Sequence, residues 1–532
     1  MSLTIPVGSI EDDIYTGVWI NRPLGAFHGA TLTLSQQQGA LLIAFIAIYT
    51  GLVVRSFWKI VRFTLHLAFS TNVAQDGIYH QRQAVLRNSP VAFDTALSLL
   101  QLVRAWHGRI ESNHRRLLPV ACLAAIVSAA SLGLSITSSK ALLSATNEAL
   151  ISGRYCGVLE MDDELTDLEA QKAITSLTPY HNGINQDSFN HATQCYNGTN
   201  ASSAGSCNTF VKSALPFTTD RNASCPFDVE ICESSTGNLL LDSGNVESDT
   251  QLGLNNIPRF ILRYTTHCAP LRTHGYTKII TDNNSGRRLL AYTYGSIPFQ
   301  PYLYTYDLDK TVWTIDIMSV SSYRMQVVRH PSIDWVPQLQ TTTEGEVSLL
   351  FLDTSEILAL NESSDPWFSR TTLLEENGTA SHAQRDQAGA GVLGCVTDMS
   401  FCGADLPAGT GCVGTTVLNQ SNSQDYSILA PIINLLVNKQ LEASWTVTNG
   451  APALLAQNTV FGNTQMALLP KDQWQQEREH MYKASMIGLQ ANVVEYARGY
   501  WPPMAPGACK KRPCHRMCHS QVRALFVPSG PR

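Results

Sequence analysis

The run GALLIAFIAIYTGLVV, Gly39–Val54, holds sixteen residues without a charge, and LLPVACLAAIVSAASLGLSITSS, Leu117–Ser139, holds 23. These two stretches decide the architecture. As a helix rising about 1.5 Å per residue, the second covers roughly 34 Å and spans a bilayer core of about 30 Å unaided. The first covers roughly 24 Å, but no charge occurs from Pro23 to Val54, so its helix can start near Leu34. Arg55 and Lys59 can snorkel at its far end, with Trp58 at the interface. A cleaved signal peptide fits the first stretch poorly: 38 residues precede it, the leading arm is acidic, and no clear small-x-small cleavage site follows.

Charge orients the pair. Residues 55–116 carry nine Lys or Arg against three Asp or Glu, whereas the preceding arm carries Arg22 against Glu11, Asp12 and Asp13. The positive-inside rule puts the loop in the cytosol and both flanks outside it. Glycosylation sequons agree: Asn197, Asn200, Asn222, Asn283, Asn361, Asn377 and Asn419 all follow the second stretch. So do the cysteines. Cys122 lies within the second stretch, and nine of the thirteen lie between it and residue 500, at 156, 195, 207, 225, 232, 268, 395, 402 and 412. An oxidising compartment permits disulfides there, and close spacing favours Cys195–Cys207 and Cys225–Cys232.

The expected fold class is therefore membrane-anchored α+β. It has two transmembrane helices and a disulfide-containing, largely antiparallel-β ectodomain with late helices. The divisions are an extracytosolic arm (1–35), a first span (36–54), a basic cytosolic loop with an amphipathic helix (55–116), a second span (117–139), a glycosylated domain (140–500) and a basic Cys/His tail (501–532). The 140–500 stretch is long enough to split near residue 270. In the loop, Phe93, Leu97, Leu100 and Trp106 supply the apolar face of a helix over Val91–His107. Residues 140–153 read as continued helix, and 156–270 as a loop-rich stapled region. ILRYTTH, TKIITD, LLAYTYG, PYLYTYDL, TVWTIDIMSV, YRMQVV and VSLLFLD, all within 259–360, are β-branched and aromatic runs punctuated by turn residues, as in an antiparallel sheet. Residues 362–425 read as loops. A helix starts near Ser427 and a longer one at Asp472, whose carboxylate can cap it with Gln475 three residues on. Along the latter, Tyr482, Met486, Leu489, Val493 and Tyr496 mark a core-facing stripe.

Chemical motifs are sparse. GAGVLG (Gly389–Gly394) and GTGCVG (Gly409–Gly414) fit G-x-G-x-x-G, but neither follows an apolar strand or opens a periodic helix, so a phosphate cradle is not expected. Their glycines read as loop geometry beside Cys395 and Cys412. G-x-S-x-G, H-E-x-x-H and Walker patterns do not occur. His181, Asp187 and His191 read as a solvated loop, and Asp162–Asp163 gives no carboxylate separation. In the tail, Cys509, Cys514, His515, Cys518 and His519 are zinc ligands by type, at a spacing that matches no standard finger. No metal or cofactor is expected. A net charge of −6 and 15% charged residues exclude a generally basic nucleic-acid binder. The bilayer is the expected partner. Ala125, Ala129 and Gly133 offer a small-residue stripe for another helix, with Gly39 or Gly51 of the first span the nearest candidates.

YTGVWINRPLGAFHGATLTLS (Tyr15–Ser35), SFWKI (Ser56–Ile60), IYHQRQAVLRNS (Ile78–Ser89), ISGRYCG (Ile151–Gly157) and the CPF of Cys225–Phe227 together carry a resemblance. The chain resembles a family of uncharacterised multi-pass membrane glycoproteins of filamentous ascomycete fungi, some loosely misnamed as cytochrome P450. The likeness is clearest over roughly residues 14–160. It implies an extracytosolic N-terminus, a large glycosylated domain and further spans near the C-terminus, and it supplies no catalytic residues. The haem-thiolate pattern F-x-x-G-x-R-x-C-x-G is missing. CHSQVRA (Cys518–Ala524) resembles the family's motif before a third span, yet FVPSGPR ends the chain, so a truncated or misread end is expected.

The functional expectation is a membrane glycoprotein of the plasma membrane or secretory pathway, whose ectodomain binds, senses or supports structure. Two alternatives are an accessory protein for a biosynthetic enzyme or transporter, as in fungal secondary metabolism, and an ectoenzyme of hydrolase type.

Overall fold

A computed structural model describes residues 14–107, 113–143, 148–151, 167–196, 207, 209–255, 257–282, 285–298, 300–309, 318, 321–329, 332–341, 345–370, 372–376, 379–384, 389–403, 412–414, 432–433, 436, 454–498 and 522–525. The chain divides into two compact units. One holds Thr16–Val18 and Leu32–Asn147; the other holds Met1–Tyr15, Trp19–Thr31 and Glu148–Arg532.

The first unit is helical. Helix α1, Gln36–Ala68, opens on a capping box: Gln38 N donates to Ser35 Oγ, and Ser35 N donates to Gln38 Oε1. Helix α2, Gly77–Asn88, is capped by Asp76, which accepts from Tyr79 N at 3.0 Å. Helices α3, Ala92–Ala105, and α4, Asn113–Leu143, follow. By length and composition α1 and α4 can each cross a membrane. At 33 residues α1 runs well past the expected end at Val54, as nothing between Arg55 and Ala68 breaks a helix.

Packing in this unit differs from the sequence expectation. The buried face of α3 is Ala92, Thr95, Ala96 and Leu99, while Phe93, Leu97 and Leu100 are exposed. Small residues win because they let helix backbones approach closely. Trp58 is only 1% exposed and packs in a cluster with Ala92, Ala96, Ala124 and Val127 rather than facing outward. Leu117, Val120 and Ala121 of α4 join Ile78, Leu86 and Leu99 in a neighbouring cluster. The Ala125, Ala129 and Gly133 stripe is exposed, and a side chain at Gly133, Gly39 or Gly51 would meet nothing within 4 Å. The stripe is thus not the surface that α4 presents to α1.

The second unit is α+β, built largely of antiparallel sheet, with four disulfides among the described residues. Its elements are β1 (Glu148–Ile151), α5 (Asp167–Cys195), β2 (Thr218–Ala223), β3 (Asn238–Asp242), β4 (Val246–Glu247), β5 (Ile261–Pro270), β6 (Thr277–Thr281), β7 (Arg288–Tyr292), β8 (Tyr304–Asp307), β9 (Arg324–Val328), β10 (Glu346–Asp353), β11 (Leu358–Ala359), β12 (Thr372–Glu376), β13 (Thr379–Gln384), β14 (Gly391–Cys402), β15 (Cys412–Gly414), β16 (Val460–Phe461), β17 (Thr464–Gln465), α6 (Gln473–Arg498) and β18 (Val522–Leu525). The central sheet runs β9-β10-β14-β5-β3-β2, with β15 on β14 and β4 on β5, all antiparallel. It draws strands from both sides of residue 270, so no division occurs there. A smaller sheet, β12-β13-β11-β17-β16, contains one parallel pair, β11 with β17.

The central strands are buried on both faces, which explains why VSLLFLD and GVLGCV read as continuous apolar runs rather than alternating ones. Leu350, Leu352, Leu393, Cys395, Leu262 and Tyr264 point to one core, shared with Trp474, Tyr482, Met486 and Leu489 of α6. Val347, Leu349, Phe351, Val392 and Val396 point to the other, under Tyr292 and Leu303. The α6 stripe is core, as expected: Tyr482, Met486, Leu489, Val493 and Tyr496 are all buried.

Several expectations are corrected. Residues 140–153 are not one helix: α4 stops at Leu143, and Glu148–Ile151 pairs with Val522–Leu525. The 156–270 region contains α5, 29 residues long, and residues 362–425 contain β12 to β15. Of the helix expected from Ser427, only 432–433 and 436 are described, and all three are helical. The arm is tied down: Asn255 Nδ2 donates to Ile20 O at 2.8 Å, and Arg22 N donates to Asn255 Oδ1 at 3.0 Å.

Candidate functional site

Two sequons can be placed: Asn222 at the end of β2 and Asn361 after β11, both exposed. Asn197, Asn200, Asn283, Asn377 and Asn419 lie outside the described residues, as do Cys156 and the tail residues Cys509, Cys514, His515, Cys518 and His519. Cys195 pairs with Cys207 and Cys225 with Cys232. Two further bridges were not expected: Cys402–Cys412, although its spacing of 10 is closer than the 12 of Cys195–Cys207, and Cys268–Cys395, whose separation of 127 gives no sequence signal. Cys395 and Cys402 lie on one strand, and register brings each partner alongside. The His191 ring bonds Ser213 O at 3.2 Å on the α5 surface. Among the described residues no group of three His, Cys, Asp or Glu could hold a metal ion.

Of the glycines of GAGVLG, only Gly389 keeps a loop position, in a bend ahead of β14. Gly391 opens β14, and Gly394 sits inside it. A Cβ at Gly394 would come within 2.7 Å of Phe227 and 2.9 Å of Leu271. Gly389, at φ +152°, lies where a Cβ would strike Tyr292 Oη at 2.7 Å. That hydroxyl donates to Ala390 O and accepts from Ala390 N. The spacing serves close packing.

The densest buried polar chemistry surrounds the N-terminus of α6. Asp365 is fully buried and accepts from Trp367 N and Phe368 N at 2.9 Å and from Trp474 N at 2.8 Å. It therefore caps a helix 109 residues further on. Asp472, the local capping candidate, instead faces Arg221 at 3.1 Å, and the Gln475 amide donates to Arg221 O and Gly237 O. Glu477, also fully buried, accepts from Leu455 N at 2.7 Å, Ala456 N at 2.8 Å and Gln473 Nε2 at 2.7 Å. Beside them Arg370 Nη2 donates to Tyr323 Oη at 3.2 Å, and Tyr323 Oη donates to Gln465 Oε1 at 2.9 Å. Arg370 Nη1 is buried without a hydrogen-bond partner among the described residues.

Burial dominates the electrostatics here. Desolvation pushes Asp365 up to about 6 and Glu477 up to about 7, against the pull of their backbone donors. Desolvation likewise holds His480 down to about 4. Such values resemble those of catalytic acids. Yet each carboxylate is committed to backbone N–H groups, and the arrangement closes a helix end and the Leu455–Thr459 turn.

A pH prediction follows for Glu477. Its folded value lies above the unfolded value of about 4.3, so the proton stabilises the folded state. That contribution is complete below about pH 4 and is lost as pH rises toward 7. His480 has the opposite sign: its contribution is present above about 6.5 and is lost as pH falls toward 4. Comparison with Glu477→Gln isolates the first effect. From pH 5 to 8, wild type should lose on the order of 2 kcal/mol more stability than the variant in denaturant titrations. Parallel pH profiles would refute the assignment.

No protein-family model, curated protein or solved structure matches this chain.

Proposed function

We propose that the chain is an integral membrane glycoprotein, anchored by α1 and α4, whose disulfide-stapled domain faces away from the cytosol and serves binding, sensing or structure. The observation that carries this reading is the segregation of cysteine chemistry. Among the described residues four bridges lie in the α+β unit, while Cys122, in the helical unit, is free and exposed. That division suits a chain whose parts occupy compartments of different redox state. The exposed positions of Asn222 and Asn361 suit glycan attachment. The nine basic residues between the two apolar stretches suit a cytosolic loop.

Treating protein expressed in a eukaryotic host with peptide-N-glycosidase should increase its gel mobility. Asn222→Gln and Asn361→Gln should each remove one step of that shift. A protein carrying no glycan, with its Cys268 and Cys395 thiols open to labelling after denaturation without reductant, would place the domain in the cytosol and overturn the reading.

A further inference from the structure

A pocket of about 210 Å³ in the helical unit is lined by Phe69, Thr71, Gln75, Tyr79, Arg82 and Arg116, among others. The Arg82 guanidinium is held in place, its carbon 4.4 Å from the Phe69 ring centroid and 5.8 Å from that of Tyr79. Its Nη1 donates to Arg116 O at 3.3 Å, whereas its Nε is buried without a hydrogen-bond partner among the described residues. A buried donor left unbonded is destabilising, and it adds to the excess of N–H groups over acceptors around the pocket. Arg116 Nη1 reaches Asp76 Oδ2 at 2.7 Å. Two guanidinium groups thus face a single carboxylate. Two hydroxyls complete the lining: Tyr79 Oη accepts from Thr71 N, and Thr71 Oγ1 accepts from Val73 N, so each keeps its own proton to donate.

We propose that this pocket binds a phosphate group. A phosphate offers several oxygens in different directions, enough to reach a fixed guanidinium and the hydroxyls together. It also adds negative charge where the protein has left a positive excess. Burial pulls the Arg82 guanidinium below its ordinary range, and the Arg116 charge adds to this, while Tyr79 and Asp76 oppose it. A bound anion would relieve that penalty. The carrier is either an anionic lipid headgroup or a soluble phosphate. Phe69 directly follows α1 and Arg116 lies in the first turn of α4, so the pocket joins the ends of both apolar helices. The lipid source rests on those helices being spans; the phosphate chemistry does not.

The test uses full-length protein and follows phenylglyoxal modification of Arg116 by mass spectrometry, with exposed Arg115 beside it as internal reference. In detergent, millimolar inorganic phosphate should slow modification of Arg116 by about tenfold, the worth of one charged hydrogen bond, and leave Arg115 unchanged. In nanodiscs, protection by phosphatidic acid but not by phosphatidylcholine, with none from free phosphate, supports the site with a headgroup as ligand. Protection by free phosphate alone supports it with a soluble ligand. Arg82→Gln should abolish protection in either case. Arg115→Gln, an equal loss of charge outside the pocket, should retain protection of Arg116. Equal protection of Arg115 and Arg116 in wild type, undiminished protection in Arg82→Gln, or no protection in any arm overturns the proposal. Should Arg82→Gln fail to fold, the wild-type contrast between Arg116 and Arg115 decides alone.

Discussion

Asp365→Ala should destabilise the α+β unit by on the order of 4 kcal/mol near pH 5, because it strips three buried backbone N–H groups of their shared acceptor. Those donors belong to Trp367, Phe368 and Trp474, at 2.8–2.9 Å. Losing an N-cap alone costs about 1 kcal/mol; here the same carboxylate also closes its own turn, and water cannot enter to substitute. The loss should shrink with rising pH. Asp365 sits near 6 when folded against about 3.9 unfolded, so its protonation stabilises fully below about pH 4 and ceases to help above about 6. Chemical denaturation of wild type and variant at pH 5 and pH 7.5 measures both effects. A loss below about 1 kcal/mol at both values would mean that the three N–H groups find other acceptors.

Asp365 also shows where local sequence reasoning reaches its limit. The D-x-x-Q pattern at Asp472 is a sound capping signature, and α6 does begin at Gln473. The capping carboxylate nevertheless comes from a segment that only the tertiary fold brings near. What was legible was periodic and local: the two apolar helices, the α6 stripe, and the β-branched runs that became β5 to β10, TVWTIDIMSV apart, which but for Met318 lies outside the described residues. What was not legible depended on partners. Helix α5 contains Pro179 and Gly183 and has few apolar residues, so propensity argues against it. It is fixed by burial of Phe189 and Ala192 in the core shared with α6, and by the Cys195–Cys207 staple. Strand β14 hid behind its glycines, whose missing side chains are filled by Phe227 and Leu271 from elsewhere. On α3 the periodicity was real but its direction was not. Small residues turned inward, and the larger Phe93, Leu97 and Leu100 were left outside.

The phosphate pocket was illegible for the same reason. Arg82 and Arg116 counted in the sequence only as loop charges, useful for orientation. Thirty-four residues separate them, and the Phe69 ring that stacks on Arg82 lies just beyond a helix that reads as wholly apolar. Charge composition identifies a basic segment; only the fold shows which of its arginines keeps a buried N–H without an acceptor among the described residues.

The bridge between Cys268 and Cys395 should be the costliest to remove. The two residues are directly opposed on β5 and β14, the centre of the main sheet, and both are fully buried. They close a loop of 127 residues, whereas Cys225–Cys232 closes one of 7. In the chain-entropy account, a cross-link stabilises by restricting the unfolded chain, and the effect grows with the logarithm of loop length. The longer loop is then worth about 5 kcal/mol and the shorter about 2.5 kcal/mol. Alanine is the right replacement, since serine would bury a hydroxyl in an apolar core. Domains of this kind are stable by only about 5–15 kcal/mol, so Cys268→Ala with Cys395→Ala should leave the unit close to unfolding at ambient temperature. Cys225→Ala with Cys232→Ala should leave it folded with a lower midpoint. Denaturant midpoints and slopes of the two double variants, measured on the full-length protein in detergent, separate the cases. If the long-loop variant lost no more stability than the short-loop variant, restriction of the unfolded chain would not be what this bridge contributes. Its value would then lie in the native packing of β5 against β14.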